Sequence, residues 1–184
     1  QPDVVQLFVT QPEHYDRAVV AANYDYYLPR TQHGSSLSRP MYALVAAHLG
    51  RVAEAEQLFL RGATVDLLAD SHPAPGGTFI GGMHIAACGA TWQVAVLGFG
   101  GVHVRDDRVE VAPRLPDGWG RLQFGLAVRG CWLEVDASNA DVLLTADPAN
   151  PTPVEVEVHG QPVTVPAGAA REVTFDLDGE LITR

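Results

Sequence analysis

The stretch Gly98-Phe99-Gly100-Gly101-Val102-His103-Val104 is where this sequence changes rhythm. Before it, apolar residues recur at three- and four-residue steps, which aligns them on one face of an α-helix. After it they recur at every second residue, which aligns them on one face of a strand. A segment can serve only one of these periods. The glycines therefore mark a boundary, with a helical domain over residues 1–101 and a β domain over residues 102–184.

Just upstream, residues 85–97 predict a helix whose Ala86-Ala87, Gly89-Ala90 and near absence of charge imply burial on every side. A chain of 184 residues has too little protein to cover it. A Pro/Gly-rich loop, residues 72–77, precedes that helix. Farther back, Val52, Ala55, Leu58, Phe59, Gly62 and Val65 trace one helical face, and Met41, Leu44, Val45, His48 and Leu49 trace another. Gly50 supplies the stop between them, and so short a break predicts an antiparallel pair. Tyr15, Val19, Ala22 and Tyr26 mark a helix within residues 14–28. Downstream, Val102–Val104 and Val109–Val111 flank Asp106-Asp107, a hairpin signal. Alternating runs follow at residues 122–128, 131–135, 142–144, 154–158, 163–165 and 173–175, each bounded by Gly, Pro, Asn or Asp. Many short strands at such spacing predict a sandwich.

Composition narrows the function classes. The chain is 47% hydrophobic and 18% charged, which suits a packed core and not a disordered segment. Its twelve basic residues are all Arg, against twenty-two acids, for a net charge of −10. The residues after position 100 carry net −7 of this. Such a surface repels phosphodiester backbones, so no nucleic-acid partner is expected. No apolar run reaches the ~18 residues of a membrane span. Gln1-Pro2-Asp3 shows neither the basic nor the apolar part of a secretory signal. Cys88 and Cys131 stand far apart without metal-ligand spacing, and the seven His form no HxH or HExxH pattern. Neither a metal nor an organic cofactor is indicated.

One loop carries the most chemistry: Arg30-Thr31-Gln32-His33-Gly34-Ser35-Ser36-Leu37-Ser38, leading into Arg39-Pro40. Ser38 as N-cap and Pro40 in the first turn predict a helix start there. A helix N-terminus offers unpaired N–H groups and about half a positive charge. Gly34 lets a ligand approach the backbone, and the hydroxyls and imidazole add donors. Phosphate is the natural occupant of such a site. The plain alternative is that these serines only cap a helix and satisfy a loop. Gly81-Gly82-Met83-His84 is a second glycine-preceded helix start, and His84 alone reads more readily as a hydrogen-bonded core histidine than as a ligand. The aromatics of residues 24–27, with Trp92 and Phe99, read as core.

Together these stretches resemble a known family. Tyr26-Tyr27-Leu28-Pro29-Arg30-Thr31-x-His33-x-Ser35-Ser36-Leu37-Ser38 is one motif, and Gly82-Met83-His84-Ile85-Ala86-Ala87 with Gly89-Ala90-Thr91-Trp92 follows. Gly98-Phe99-Gly100-Gly101 and Leu115-Pro116-x-x-Trp119 complete the set. In this order and spacing they resemble the C-terminal part of glycoside hydrolase family 65, which contains maltose, trehalose and kojibiose phosphorylases and some α-glucoside hydrolases. The resemblance covers residues 1–135 well and the remaining strands by position.

The resemblance implies an α+β multidomain fragment: the final helices of an α/α six-hairpin barrel, followed by a small antiparallel β-sheet or sandwich domain. It implies an inverting α-glucoside phosphorylase of the maltose type, with inorganic phosphate as co-substrate and an α-glucoside disaccharide as substrate. By the same resemblance Ser35, Ser36 and His84 hold phosphate, and His33 and Gly34 shape the loop. Gln1 is the second residue of a Lys-Gln pair that binds sugar in the cleaved subsite. Its Lys partner is absent, Pro2 stands where Ala is common, and the chain reads as cut inside that motif. The family's general acid Glu lies upstream and nothing here matches it, so no catalytic residue is assigned and the chain is expected to be inactive alone. The loop at residues 70–81, together with Met41-Tyr42 in place of a His-Ala pair, leaves the acceptor sugar open. An inverting hydrolase needs a carboxylate base opposite its acid. Residues 31–39 hold no Asp or Glu, which favours the phosphorylase over a hydrolase of the same family. A non-catalytic carbohydrate- or anion-binding module, or a subunit completed by a partner chain, are the other readings. Orphaned barrel helices also predict self-association, and a phosphate-dependent reaction without a visible signal predicts a cytoplasmic location.

Overall fold

The computed structural model describes residues 2–67, 83–105 and 108–176. Two compact units result, Gln1–Gly98 and Phe99–Arg184. The first is helical: α1 (Asp3–Thr10), α2 (Arg17–Tyr27), α3 (Ser38–His48), α4 (Val52–Ala63) and α5 (Ile85–Gln93). Short 3₁₀ turns at Pro12–His14 and Leu28–Arg30 flank α2, and a π-helical stretch, Val94–Phe99, continues α5.

Helix α3 is the centre of this unit, with Pro40 to Ala47 all buried. It ends in a glycine cap. Gly50 adopts φ +73°, and the N–H groups of Gly50 and Arg51 donate to the carbonyls of Ala47 and Ala46 at 2.8 Å each. Arg17 at the start of α2 reaches the same end and donates to the carbonyls of His48 and Leu49 at 2.9 and 2.6 Å. A guanidinium at a helix C-terminus also complements its dipole. Helix α4 turns Ala55, Leu58 and Gly62 inward. A Cβ on Gly62 would stand 3.0 Å from the Pro40 ring, so the glycine admits the first turn of α3.

The structure departs from the sequence reading at two points and agrees with it at a third. Helix α1 carries its own buried Val5 and Phe8, yet its eight residues are too few to show a period. The 85–97 helix, too apolar for so short a chain to cover, is left partly open. Within α5 only Ala87 and Ala90 are buried, whereas Ile85 is 79% and Trp92 53% exposed. Burial begins at Val94, because Gly98 lets Ala47 and Leu44 close on the π-helical turn. Ser38 is not the N-cap: it is the first helical residue, and Leu37 precedes it without a side-chain cap bond.

The second unit holds β1 (Val102–Val104), β2 (Val109–Val111), β3 (Leu122–Val128), β4 (Cys131–Ala137), β5 (Asp141–Ala146), β6 (Val154–Val158), β7 (Gln161–Val165) and β8 (Ala170–Thr174). They form two four-stranded sheets, ordered β1-β2-β6-β7 and β3-β4-β5-β8. The pairings are antiparallel except β2 with β6, which is parallel and departs from the all-antiparallel expectation. The chain returns to the first sheet only after building most of the second, so β6 arrives beside β2 in the same direction. Asp106-Asp107, read as the β1–β2 turn, lies outside the described residues.

Both tight hairpins are spelled by an X-Gly pair. Arg129-Gly130 and His159-Gly160 each place two successive residues at positive φ, as a two-residue turn matched to strand twist requires. Alternation then sorts the side chains. Leu133, Val135, Val142, Leu144, Val156 and Val158 are buried, and Trp132 and Glu134 on the intervening positions are exposed. Each sheet thus has one covered and one open face.

Candidate phosphate site

The loop before α3 is anchored from beneath. The Thr31 hydroxyl donates to the Tyr27 carbonyl at 3.0 Å and accepts the Tyr42 hydroxyl at 2.6 Å. Burial pushes the Tyr42 phenol up, opposed by that bond to Thr31. His33 adopts φ +52°, which turns the chain sharply ahead of Gly34. Its Nδ1 lies 2.8 Å from the buried Ser38 hydroxyl, and its ring meets Tyr42 edge-on at 5.1 Å. Burial, then the neighbouring Arg39, holds this imidazole below the usual histidine range. His33 is therefore a strut that sets the loop's shape.

This arrangement leaves a defined set of donors. Ser35 is partly used, since its hydroxyl accepts the Leu37 N–H at 3.3 Å and its carbonyl accepts the Ser38 N–H at 3.1 Å. Pro40 has no N–H. The amides of Gly34, Ser35, Ser36 and Arg39 and the Ser36 hydroxyl have no hydrogen-bond partner among the described residues. Successive free amides after a left-handed residue form a concavity suited to an anion. No carboxylate lies in the loop to oppose one.

His84 sits directly before α5, and the amides of Ile85, Ala86 and Ala87 open the helix behind it, the first intrahelical bond being Cys88 N–H to His84 O at 3.0 Å. Asp66, in the turn after α4, takes both N–H groups of His84. One carboxylate oxygen accepts the backbone N–H at 2.8 Å and the other meets Nδ1. These bonds hold the Asp66 carboxyl below the usual carboxylate range. The remaining ring nitrogen, Nε2, is buried and has no hydrogen-bond partner among the described residues. Asp66 was not legible as a site residue. It stands eighteen positions from His84 and shares no motif with it, and only the fold brings the two together.

No hydrogen bond joins His84 to Ser35 or Ser36. A cleft of about 500 Å³ is lined by Leu37 and Met41 at the start of α3, by Ala86, Gly89 and Ala90 of α5 and by Thr10 of α1, and Ser35, Ser36 and His84 are not among its lining residues. Gln1, Gly82 and all of the 70–81 loop lie outside the described residues. Among the aromatics, Tyr24 and Phe99 are core as expected. Tyr26 and Trp92 are exposed and correct that reading, Tyr26 carrying the Arg30 guanidinium 4.0 Å above its ring. Among the described residues no group of three or more metal-binding side chains occurs, and no helix is long and apolar enough to cross a membrane.

Two family descriptions match these units in order: the glycosyl hydrolase family 65 central catalytic domain over residues 1–93, and the family 65 C-terminal domain over residues 102–165. The chain belongs to glycosyl hydrolase family 65. Relatives agree. It is 45% identical over 161 residues to a 1,2-α-glucosylglycerol phosphorylase of Bacillus selenitireducens, covering 88% of this chain and 21% of the relative. It is 39% identical over 179 residues to the kojibiose phosphorylase of Escherichia coli, covering 96% of this chain and 22% of that one. A solved structure of a candidate kojibiose phosphorylase from the human microbiome superposes with a TM-score of 0.80 at 27% identity, over 96% of this chain and 25% of that chain. The family 65 sequence in hand thus spans about a fifth of the length of the curated relatives it matches.

Proposed function

We propose that this chain is the C-terminal portion of an inverting α-glucoside phosphorylase and contributes that enzyme's phosphate-binding loop. The observation carrying this reading is the donor set of the 31–39 loop. Free amides and a free hydroxyl stand there, and no Asp or Glu does. Phosphate brings its own negative charge as nucleophile, so the protein must offer donors and not a base. The phosphorylase names of the relatives at 36–45% identity agree with it.

In this reading Ser35, Ser36 and the α5 end at His84 hold the anion, His33 and Gly34 shape the loop, and Gln1 contacts the sugar of the cleaved subsite. The proton donor to the glycosidic oxygen belongs to the part of the enzyme beyond these residues. Loss of a general acid alone costs about 10²–10⁴ in rate, so the isolated chain is inactive. The barrel and the closed sandwich of the family complete the architecture, and the uncovered helical faces dock on that remainder or on each other. A reaction consuming inorganic phosphate fits the cytoplasm.

A hydrolase of the same family would need a carboxylate to activate water. The nearest carboxylate to His84, Asp66, spends both oxygens on that residue. The test joins this chain to the rest of its catalytic domain and supplies α-glucobioses with and without inorganic phosphate. Glucose 1-phosphate released only with phosphate is the expected outcome. Free glucose at equal rates either way would overturn the phosphorylase reading.

A further inference from the structure

We propose that Asp66 is a positioning residue for phosphate, holding His84 so that Nε2 is the nitrogen presented to the anion. This rests on the phosphate reading above and adds a residue to it. Three observations carry it. Asp66 engages His84 twice, at the backbone N–H and at Nδ1, so ring and main chain are fixed together. That leaves Nε2 as the unused nitrogen, and it is buried with no partner among the described residues. The free N–H groups of the first turn of α5 lie beside it, so one end of the helix presents amides and an imidazole together.

The chemistry follows from charge. A carboxylate at Nδ1 requires a proton on that nitrogen, since two acceptors would repel. Nε2 is then the ring nitrogen left to meet the anion, and it shares one proton with a phosphate oxygen, a proton that dihydrogen phosphate brings with it. Helices α3 and α4 pack against α5 and carry Arg39, His48, Glu54, Glu56 and Arg61. None of these is bonded to His84, whose charged partner is Asp66. A carboxylate oriented behind a ligating histidine is typically worth about 10–100-fold in affinity where such pairs bind metals.

The experiment uses the 184-residue chain and inorganic phosphate. Nitrogen-15 spectra of the His84 ring are recorded with and without phosphate, and calorimetry measures the phosphate affinity. Asp66→Asn keeps the shape and removes the charge, Asp66→Ala removes both, and Asp66→Glu asks whether a carboxylate alone rescues. The expected result is an Nδ1–H ring in the free protein, a phosphate-induced shift of the Nε2 resonance, and binding about tenfold or more weaker in Asp66→Asn, partly restored in Asp66→Glu. Wild-type phosphate affinity and an unchanged Nε2 response in Asp66→Asn would overturn the proposal and leave the phosphate reading standing. An Nε2–H ring in the free protein would overturn it whatever phosphate does. No phosphate binding at all, with the ring as expected, would overturn both readings together.

Discussion

The β unit and the helical unit dispose of their apolar residues in opposite ways. In the β unit Leu133, Val135, Val142, Leu144, Val156 and Val158 are covered, and the strands expose mainly polar neighbours. In the helical unit α3 is covered on all sides, whereas Leu67, Met83, Ile85 and Trp92 around α5 lie open. Sheet alternation commits each residue to a face within a single strand, so a sheet unit can finish its own core. A helix finishes its surface only when enough other helices surround it. One unit covers its own apolar residues along its strands, and the other leaves several large ones open around α5.

The sharpest way to break this comparison is at the turn into the β unit. Gly101 holds φ +62°, and a Cβ there would lie 1.9 Å from the Ala112 carbonyl oxygen. Gly101→Val should cost about 4 kcal/mol or more in urea unfolding. A loss under 1 kcal/mol would show that β1 does not need this turn. Next, Leu144→Ala in the fully buried face of β5 should cost about 2–5 kcal/mol by the same measurement.

A smaller effect separates the units by acid. Burial acts to raise the Asp136 carboxyl, but the bonds from Gln123 and Arg121, at 2.7 and 2.5 Å, outweigh it and hold it below the usual carboxylate range. A depressed folded-state pKa gives stability that is present above the unfolded value and lost as pH falls through the folded one. Asp136→Asn should therefore weaken the β unit at neutral pH, and the two proteins should converge in strong acid. Unfolding midpoints across pH check this, and a constant gap would reject the pairing as the cause. The smallest change in stability is expected at the open helical face. Ile85→Gln with Trp92→Gln should alter unfolding by less than about 0.5 kcal/mol, as exposed positions do. The same pair should reduce hydrophobic-dye binding and any concentration-dependent association seen by light scattering. Unchanged dye binding would mean that this face is not the adhesive one.

Much of the fold was legible before any coordinates. Runs such as Leu122–Val128 and Val154–Val158 announce themselves because the strand period needs only the next residue but one. The α3–α4 pair was equally plain, since Gly50 stops the first helix. Helix α1 was missed because eight residues hold too few repeats to establish a period. The exposure of α5 was legible too. Low charge states that a helix wants to be covered, and a chain of 184 residues holds too little protein to cover it.

The site divides along the same line. The sequence alone determined which residue types stand in the 31–39 loop, that no carboxylate is among them, and that His84 opens a helix. These are local facts, set by composition and by steps of a few residues. Only the tertiary structure decided how the donors are spent. It assigned the Ser38 hydroxyl to His33 and not to a cap, kept the Gly34 and Ser36 amides free, and brought Asp66 onto both N–H groups of His84. A hydrogen bond's partner depends on distance and direction in space, and neither is written in the order of residues along the chain.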